Sequence, residues 1–362
     1  SQMRNLNALP KGHLHIHLEG AMRRATLEEL ASTYNMPAPA DTRGQRFPNF
    51  GGFNALYQAA CGCIRTREDL ERLIFEVAED AAAEGVHWME PAFDAERFCE
   101  RRAGAEDQLF ETQREGWLFA LECAARASKA TGVGIGYVSA IDRTQPVGHA
   151  EERVRVTAAL VQAHEHLIAQ SSLPADEKYP GIVGLGLHGN EEGFPPDAFI
   201  SVFRSGREQT GLLSVPHAGE IAPEPGGGPA SVRTAVEELG ADRVLHGVLA
   251  ASEPALVAEL ARRAICLDVC PSSNVALSVV ESLEEHPLPE LLAAGVPCTL
   301  GSDDPLLFGP SLLEEYQLCR DVMRVDDETL AQMARWSFEH SGAPDMIKKT
   351  AIAAIDEWLA NN

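Results

Sequence analysis

Four short stretches of the chain concentrate imidazole and carboxylate groups: His15-Ile16-His17-Leu18-Glu19, His217-Ala218-Gly219-Glu220, His246-Gly247 and Ser302-Asp303-Asp304-Pro305. Side chains alternate along an extended strand, so His15 and His17 share a face. Two imidazoles at that spacing can hold one divalent ion. His13 has the same parity but lies deeper, and it reads as a packed core histidine. Each stretch alone could be a loop or a cap. Together they place imidazole or carboxylate groups at several strand ends, and buried charge of that density is costly unless paired or bound to metal. A metal centre is therefore expected where the stretches converge.

For them to converge, each must end a strand at one rim. Short apolar runs recur along the chain at His13–His17, Val86–Phe93, Gly132–Ile141, Gly181–His188, Leu212–His217, Arg243–His246, Ala264–Val269 and Val296–Ser302. Between them lie stretches with helical spacing: Arg67–Glu84, Asp107–Ala130, Glu151–Ala169, Asp197–Thr210, Ala230–Leu239 and Glu253–Arg263. Strands alternating with helices mean βα units and a parallel sheet. With no linker or composition break, the units predict one α/β domain over 1–362, a closed (β/α)8 TIM-type barrel. An open doubly wound sheet would want a Gly-rich turn after the first strand, and none is present. Pro223–Pro229 reads as a loop. Met36–Gly62 is Pro- and Gly-rich with Phe47, Phe50, Phe53, Leu56 and Tyr57; it is either a surface excursion or an apolar cover over the barrel mouth. Helices around Leu312–Met323, Asp327–Glu339 and Pro344–Leu359 form a C-terminal annex over 310–360.

The 362 residues carry 54 Asp+Glu against 30 Lys+Arg, a formal net charge of -24. That argues against a nucleic-acid-coating protein, which needs a basic face, and against an anionic membrane surface. A small neutral or cationic ligand fits better. The eight cysteines are scattered, and a chain this long needs no disulfide staples. Neither a charged-then-apolar leader nor an apolar run approaching ~18 residues is seen, so a reduced, cytoplasmic protein is expected. Ser1-Gln2 is left out of the fold reading. Oligomeric state is not legible.

The motifs Pro10-Lys11, His15-x-His17-x-Glu19-Gly20, His217-Ala218-Gly219-Glu220, His246-Gly247, Cys270-Pro271-Ser272-Ser273-Asn274 and Ser302-Asp303-Asp304-Pro305 occur in this order over nearly the whole chain. In that combination the chain resembles the adenosine deaminase family of the amidohydrolase superfamily. The resemblance implies one Zn2+ bound by His15, His17, His217 and Asp303, with a water in the remaining position, its pKa lowered by the metal. It implies that His246 orients and helps deprotonate that water, that Asp304 bonds the hydroxide and the purine N7 edge, and that Glu220 donates a proton to N1. Gly189 would offer its backbone N–H to N3, and Glu19 matches the position that contacts the sugar. Glu19, His17, His188, Gly189 and Asp304 would thus surround the substrate.

The chemistry asks for such groups. Replacing an exocyclic amine on a purine needs an oxygen nucleophile at an aromatic carbon and a proton on a ring nitrogen. Glu220 must then be protonated at neutral pH, which burial would achieve. Adjacent Asp303 and Asp304 cannot both aim at one site from a regular strand, so the strand end must bend. Binuclear amidohydrolases usually carry a carboxylated lysine after strand four; Gly186-Leu187-His188-Gly189 has none, which favours one metal. The zinc pattern of cytidine-deaminase-type enzymes is absent, because Pro297-Cys298 lacks a second cysteine three positions on.

The expected reaction is zinc-dependent hydrolytic deamination of a 6-aminopurine: adenosine, adenine or a modified adenine or adenine nucleoside. The alternatives are an amidohydrolase cleaving another C–N or ester bond, and a catalytically silent binding relative. Departures leave the substrate open. Glu19 stands where adenosine enzymes commonly have Asp, His188 is unusual beside the expected glycine, Leu245 replaces the glycine usual before His246-Gly247, and Gly189-Asn190 does not match the Ser-rich stretch of adenine-specific relatives. Trp88–Asp94 lacks a basic group usual there, and Pro91 suggests a bulge. Arg43, Arg46, Arg65 and Arg67 read as solvated surface, so a phosphorylated substrate is the least expected.

Overall fold

The structure, a computed structural model, describes residues 3–99, 108–170, 181–222, 224 and 226–361, with only the backbone over 164–170. Ser1-Gln2, the expected helix start at Asp107, and Pro223 and Pro225 of the expected loop lie outside the described residues.

Nine short strands form the described sheet structure: β1 (Lys11–His17), β2 (Val86–Phe93), β3 (Gly134–Asp142), β4 (Gly181–His188), β5 (Leu213–Ser214), β6 (His217–Ala218), β7 (Arg243–His246), β8 (Cys266–Val269) and β9 (Cys298–Leu300). They pair in order as β1–β5 and β6–β9, always parallel. The expected fifth strand is split into β5 and β6 around Val215-Pro216, where proline has no N–H for a ladder. The seam holds all the same: Val215 N–H donates to Leu185 O (2.8 Å) and Leu245 N–H to Pro216 O (3.0 Å). At the other seam Asp303 N–H donates to His15 O and His17 N–H to Asp303 O, both at 3.1 Å. The two sheets thus close into the expected barrel. Beside Pro91 the register does slip, but β1 carries the extra residue: His13 faces Met89 and Ile16 faces Pro91.

The helices Arg67–Ala83, Gln113–Thr131, Val147–Gln170, Ile200–Thr210, Gly228–Glu237 and Pro254–Arg263 lie between strands. Their ends follow local chemistry. Thr66 and Asp69 form a reciprocal capping box, which fixes the start at Arg67, and Gly132 and Gly211 end two helices in the left-handed conformation. Inside the barrel, Arg243 Nε donates to Asp268 (2.8 Å) and its Nη2 to Glu90 (2.6 Å), all three side chains fully buried. Trp88 and Thr299 donate to the same two carboxylates, so this layer compensates its own desolvation.

The C-terminal helices Leu312–Asp321, Asp327–Glu339 and Asp345–Ala360 match the expected annex. Ser337 accepts from Gly12 N (2.8 Å) at the start of β1. Within Met36–Gly62 a helix runs Phe50–Gly62, capped by Asn49. Phe53 stacks on Phe308 with centroids 5.0 Å apart, tying this helix to the turn after β9. No disulfide joins any of the eight cysteines among the described residues. Among the described residues no helix is long and apolar enough to cross a membrane.

Candidate active site

The strand ends open into one cavity lined by His17, Glu19, His188, Gly189, His217, Glu220, Asp303 and Asp304, with Phe50, Phe53, Asn54, Tyr57 and Gln58 of the Phe50–Gly62 helix opposite. That helix therefore faces the same space, as a cover would. His15 and His246 lie buried beneath it, their rings 4.4 Å apart; His15 is 4.9 Å from the His217 ring.

Backbone twists aim these groups. Asp303 has φ 59° and His246 φ 65°, left-handed values that cost a non-glycine residue about 1–3 kcal/mol each. The twist at Asp303 is the bend that the paired aspartates required, and it lets Asp303 and Asp304 line one cavity. A Cβ on Gly20 would overlap the Asp304 carboxylate, so only glycine fits beside it.

Three of the four expected ligands form a compact group, with a substitution. His15, His217, His246 and Asp303 place ligand atoms within 4.8 Å of one another, while His17 joins two overlapping groups, one with His188 and His217 and one with Asp303 and Asp304. His17 Nε2 lies 3.1 Å from Asp303 Oδ1, and His15 Nε2 lies 3.6 Å from it. His15 Nδ1 bonds Asp268 O at 2.8 Å and His217 Nδ1 bonds Leu187 O at 3.1 Å. A carbonyl only accepts, so both Nδ1 atoms carry a proton, and in the neutral ring each Nε2 presents a lone pair, the arrangement of metal-ligating histidines. Burial opposes the charged form of His15, but Asp303 outweighs it and raises the His15 pKa. His15 Nε2 has no hydrogen-bond partner among the described residues. The donor set of imidazole nitrogens and carboxylate fits a divalent ion such as zinc.

Burial, then the charges of Asp303 and Glu191, push the Glu220 carboxyl well above its ordinary range. Burial and then Asp303 do the same to Asp304. Burial also opposes ionisation of Asp303, but His15 and the neighbouring imidazoles outweigh it and hold this carboxyl well below its usual range. Burial, followed by neighbouring imidazoles, pushes His217 and His246 well below theirs. One carboxylate thus stays charged while two carboxyls beside it are held neutral.

His13 is a packed core histidine, as its depth suggested: Ser302 N–H donates to its Nε2 at 3.1 Å, and burial pushes its pKa down to about 3. His188 is buried with neither ring nitrogen bonded among the described residues. Its ring folds back over Gly186, where any Cβ would overlap it. Glu19 is buried, accepts from Tyr57 Oη (3.0 Å) and lies 3.7 Å from Arg97 Nε. Arg43, Arg46, Arg65 and Arg67 do not line the cavity, whereas Arg97 does.

Several residues escaped the sequence reading. Glu191 is buried, and its carboxylate accepts from three consecutive amides, Gly219 (2.9 Å), Glu220 and Ile221 (3.0 Å each), and from Ser231 Oγ. It sits two residues after Gly189, which was the available signal. Ser273 Oγ donates to Asp303 Oδ2 at 2.7 Å, and the Asn274 amide lies 3.2 Å from His246 Nδ1; both belong to a motif that had been noted without a role.

Fold and site together define a barrel hydrolase of the amidohydrolase type. The family described as adenosine deaminase matches residues 10–358. The chain belongs to that family. A candidate adenosine/adenine deaminase of Streptomyces coelicolor is 37% identical over 99% of this chain and 99% of its own. The aminodeoxyfutalosine deaminase of Streptomyces avermitilis is 33% identical over 97% of this chain and 92% of its own. Among solved structures, adenine deaminase from Arthrobacter aurescens superposes with a TM-score of 0.81 at 26% identity, covering 97% of this chain and 99% of that one.

Proposed function

We propose that this chain hydrolyses the 6-amino group of an adenine-type base or nucleoside, releasing ammonia and the 6-oxopurine. The observation that carries the reading is Glu220, a buried carboxylic acid held neutral beside a cluster of metal-capable side chains. A neutral acid has a use where a ring nitrogen must gain a proton as the adjacent carbon becomes tetrahedral.

His15, His17, His217 and Asp303 would hold one Zn2+, which when bound supplies Lewis-acid activation of water. Glu220 would donate its proton to purine N1. Asp304, whose Oδ1 finds no hydrogen-bond partner among the described residues, would meet the attacking oxygen and the N7 edge. The Gly189 N–H would serve N3. His17, His188 and Glu19 would form the wall around the rest of the substrate, with Glu19 already held by Tyr57. The Phe50–Gly62 helix would exclude water from the closed site.

Arg97 is the cation lining the cavity among the described residues, and it is engaged with Gln58 (2.5 Å) and near Glu19. With six carboxyls also lining that space, Glu19, Asp94, Asp142, Glu220, Asp303 and Asp304, an uncharged small molecule is the better fit. Relatives named for adenine, adenosine and aminodeoxyfutalosine support an adenine-type ring with variable attachments.

The test is ammonia release by zinc-loaded protein from adenosine, deoxyadenosine, adenine, N6-alkylated adenines and adenine nucleosides with extended 5′ groups. At least one should turn over. Release from none would refute the proposal.

A further inference from the structure

His246 belongs to the compact group of metal-capable side chains, yet its second nitrogen faces a different kind of partner from those of His15 and His217. A chain of hydrogen bonds leads outward from it. Leu288 N–H donates to His286 Nδ1 at 3.1 Å. A backbone N–H only donates, so this Nδ1 is an acceptor. Burial pushes the His286 imidazole down to about 4, so it is neutral near pH 7 and its proton sits on Nε2. That Nε2 lies 3.0 Å from Asn274 Oδ1. The side-chain amide of Asn274, itself fully buried, is thereby oriented, and its NH2 group is left to face His246 Nδ1 at 3.2 Å. An amide NH2 only donates, so His246 Nδ1 accepts.

We propose that Asn274 and His286 are positioning residues that hold His246 as its Nε2–H tautomer, so that it presents a donor to the active site where His15 and His217 present lone pairs. The direction of every bond follows from the Leu288 amide at one end. At the other end His246 Nε2 lies 3.3 Å from Glu220 Oε1 and 3.6 Å from Asp303 Oδ2; the ionised Asp303 carboxylate accepts, and a neutral Glu220 carboxyl still keeps a carbonyl oxygen that accepts. The tautomer of an imidazole is set by the bond its other nitrogen makes.

Two consequences follow. A neutral imidazole with Nε2 protonated has no lone pair there, so His246 does not ligate metal even though its ring lies within the group; the ligand role falls to His17. Nor does His246 in this state accept a proton from water, as the family resemblance implied. It donates a hydrogen bond to the attacking oxygen and orients its lone pair. Asn274 sits in the short helix Pro271–Ala276 and His286 just before the helix Leu288–Ala293, and neither lines the cavity. The inference rests on the proposed deamination for its meaning but not for its test.

The test is 15N NMR of protein labelled at histidine, with the His246 resonances among the 12 histidines assigned by their loss in His246→Gln. In the wild type, metal-free or zinc-loaded, His246 should show a protonated Nε2 and an unprotonated Nδ1, unmoved by zinc. In Asn274→Asp a carboxylate accepts from both sides, and His246 should switch to Nδ1–H. His286→Phe should release the lock and give mixed tautomers, while His286→Gln, which keeps a donor toward Asn274 Oδ1, should restore the wild-type pattern. In the deamination assay Asn274→Asp should lower kcat about 10–100-fold, the usual cost of losing such a partner, with KM little changed. An Nδ1–H signal in the wild type, or a zinc-shifted Nε2, would overturn the inference, and the wild-type spectrum decides it even where a variant fails to fold. A correct tautomer in a protein that deaminates nothing would leave the inference standing and the proposed function refuted.

Discussion

Glu191→Gln isolates what holds the proposed acid in place. The Glu191 carboxylate receives the N–H groups of Gly219, Glu220 and Ile221, three consecutive amides in the turn that carries Glu220, at 2.9–3.0 Å. One oxygen takes Gly219 and Ser231, the other takes Glu220 and Ile221. Glutamine keeps the shape but turns one oxygen into a donor. Whichever way it sits, two N–H or O–H groups lose their acceptor and face an NH2 group. Hydrogen bonds to a charged group contribute about 1.5–3 kcal/mol each, so two lost bonds cost roughly 3–6 kcal/mol. Part of that is recovered if the turn shifts, and such a shift moves Glu220. The expected result is a folded, less stable protein, several kcal/mol lower in urea unfolding, with kcat/KM reduced at least about tenfold, the effect of ~1.4 kcal/mol in the transition state. Glu191→Asp, too short to reach all three amides, should fall in the same direction. Unchanged stability together with unchanged kcat/KM in Glu191→Gln would refute the reasoning.

Three other perturbations bear on separate links. Glu220→Gln should retain zinc at the wild-type stoichiometry, measured by metal analysis, and lose turnover by about 100-fold or more, because the proton donor is gone; near-normal kcat would remove Glu220 from that role. Glu19→Asp shortens a carboxylate held by Tyr57 at 3.0 Å and should raise the adenosine-to-adenine ratio of kcat/KM, with an unchanged ratio counting against Glu19 as a limit on the sugar space. Glu315, buried beside Ser272, has its carboxyl pushed up to about 8, chiefly by burial. Between the ordinary value of 4.5 and about 8 the folded state holds a proton that the unfolded chain releases, so this stability is full at low pH and is lost as pH rises through that window. Glu315→Gln should therefore gain stability relative to wild type from pH 5 to pH 9, on the order of a few kcal/mol, and a constant difference across that range would contradict the assignment.

The barrel was legible because its signal is repetitive: eight apolar runs alternate with helical stretches, and a closed parallel sheet follows. The break in strand five was written in Pro216, which cannot donate to a ladder, yet the same residue could have stood at an edge, and only the Leu185 and Leu245 bonds show how the seam is kept. The bend at Asp303 was legible from chemistry, since two adjacent aspartates cannot face one site from a flat strand; its form, a left-handed φ, was not. Motif residues could be ranked by strand-end position, so His15, His217, Glu220 and Asp303 stood out. Groups that act at one remove could not. Glu191 reaches 28–30 residues along the chain to its amides, and the hydrogen bonds from His286 reach His246 through Asn274. No periodicity reports such links, because they depend on which loops the closed barrel brings together. His188 lay between: its place at a strand end was clear, but its fold over Gly186 needed the packing.

Hydrolysis in 18O-labelled water tests the central claim most directly. Zinc-loaded protein acting on the best substrate of the aminopurine series should release one ammonia per turnover and place one 18O on the purine C6, read by mass spectrometry of the 6-oxo product. Ammonia without 18O at that carbon, or no 6-oxopurine from any aminopurine, would contradict the account.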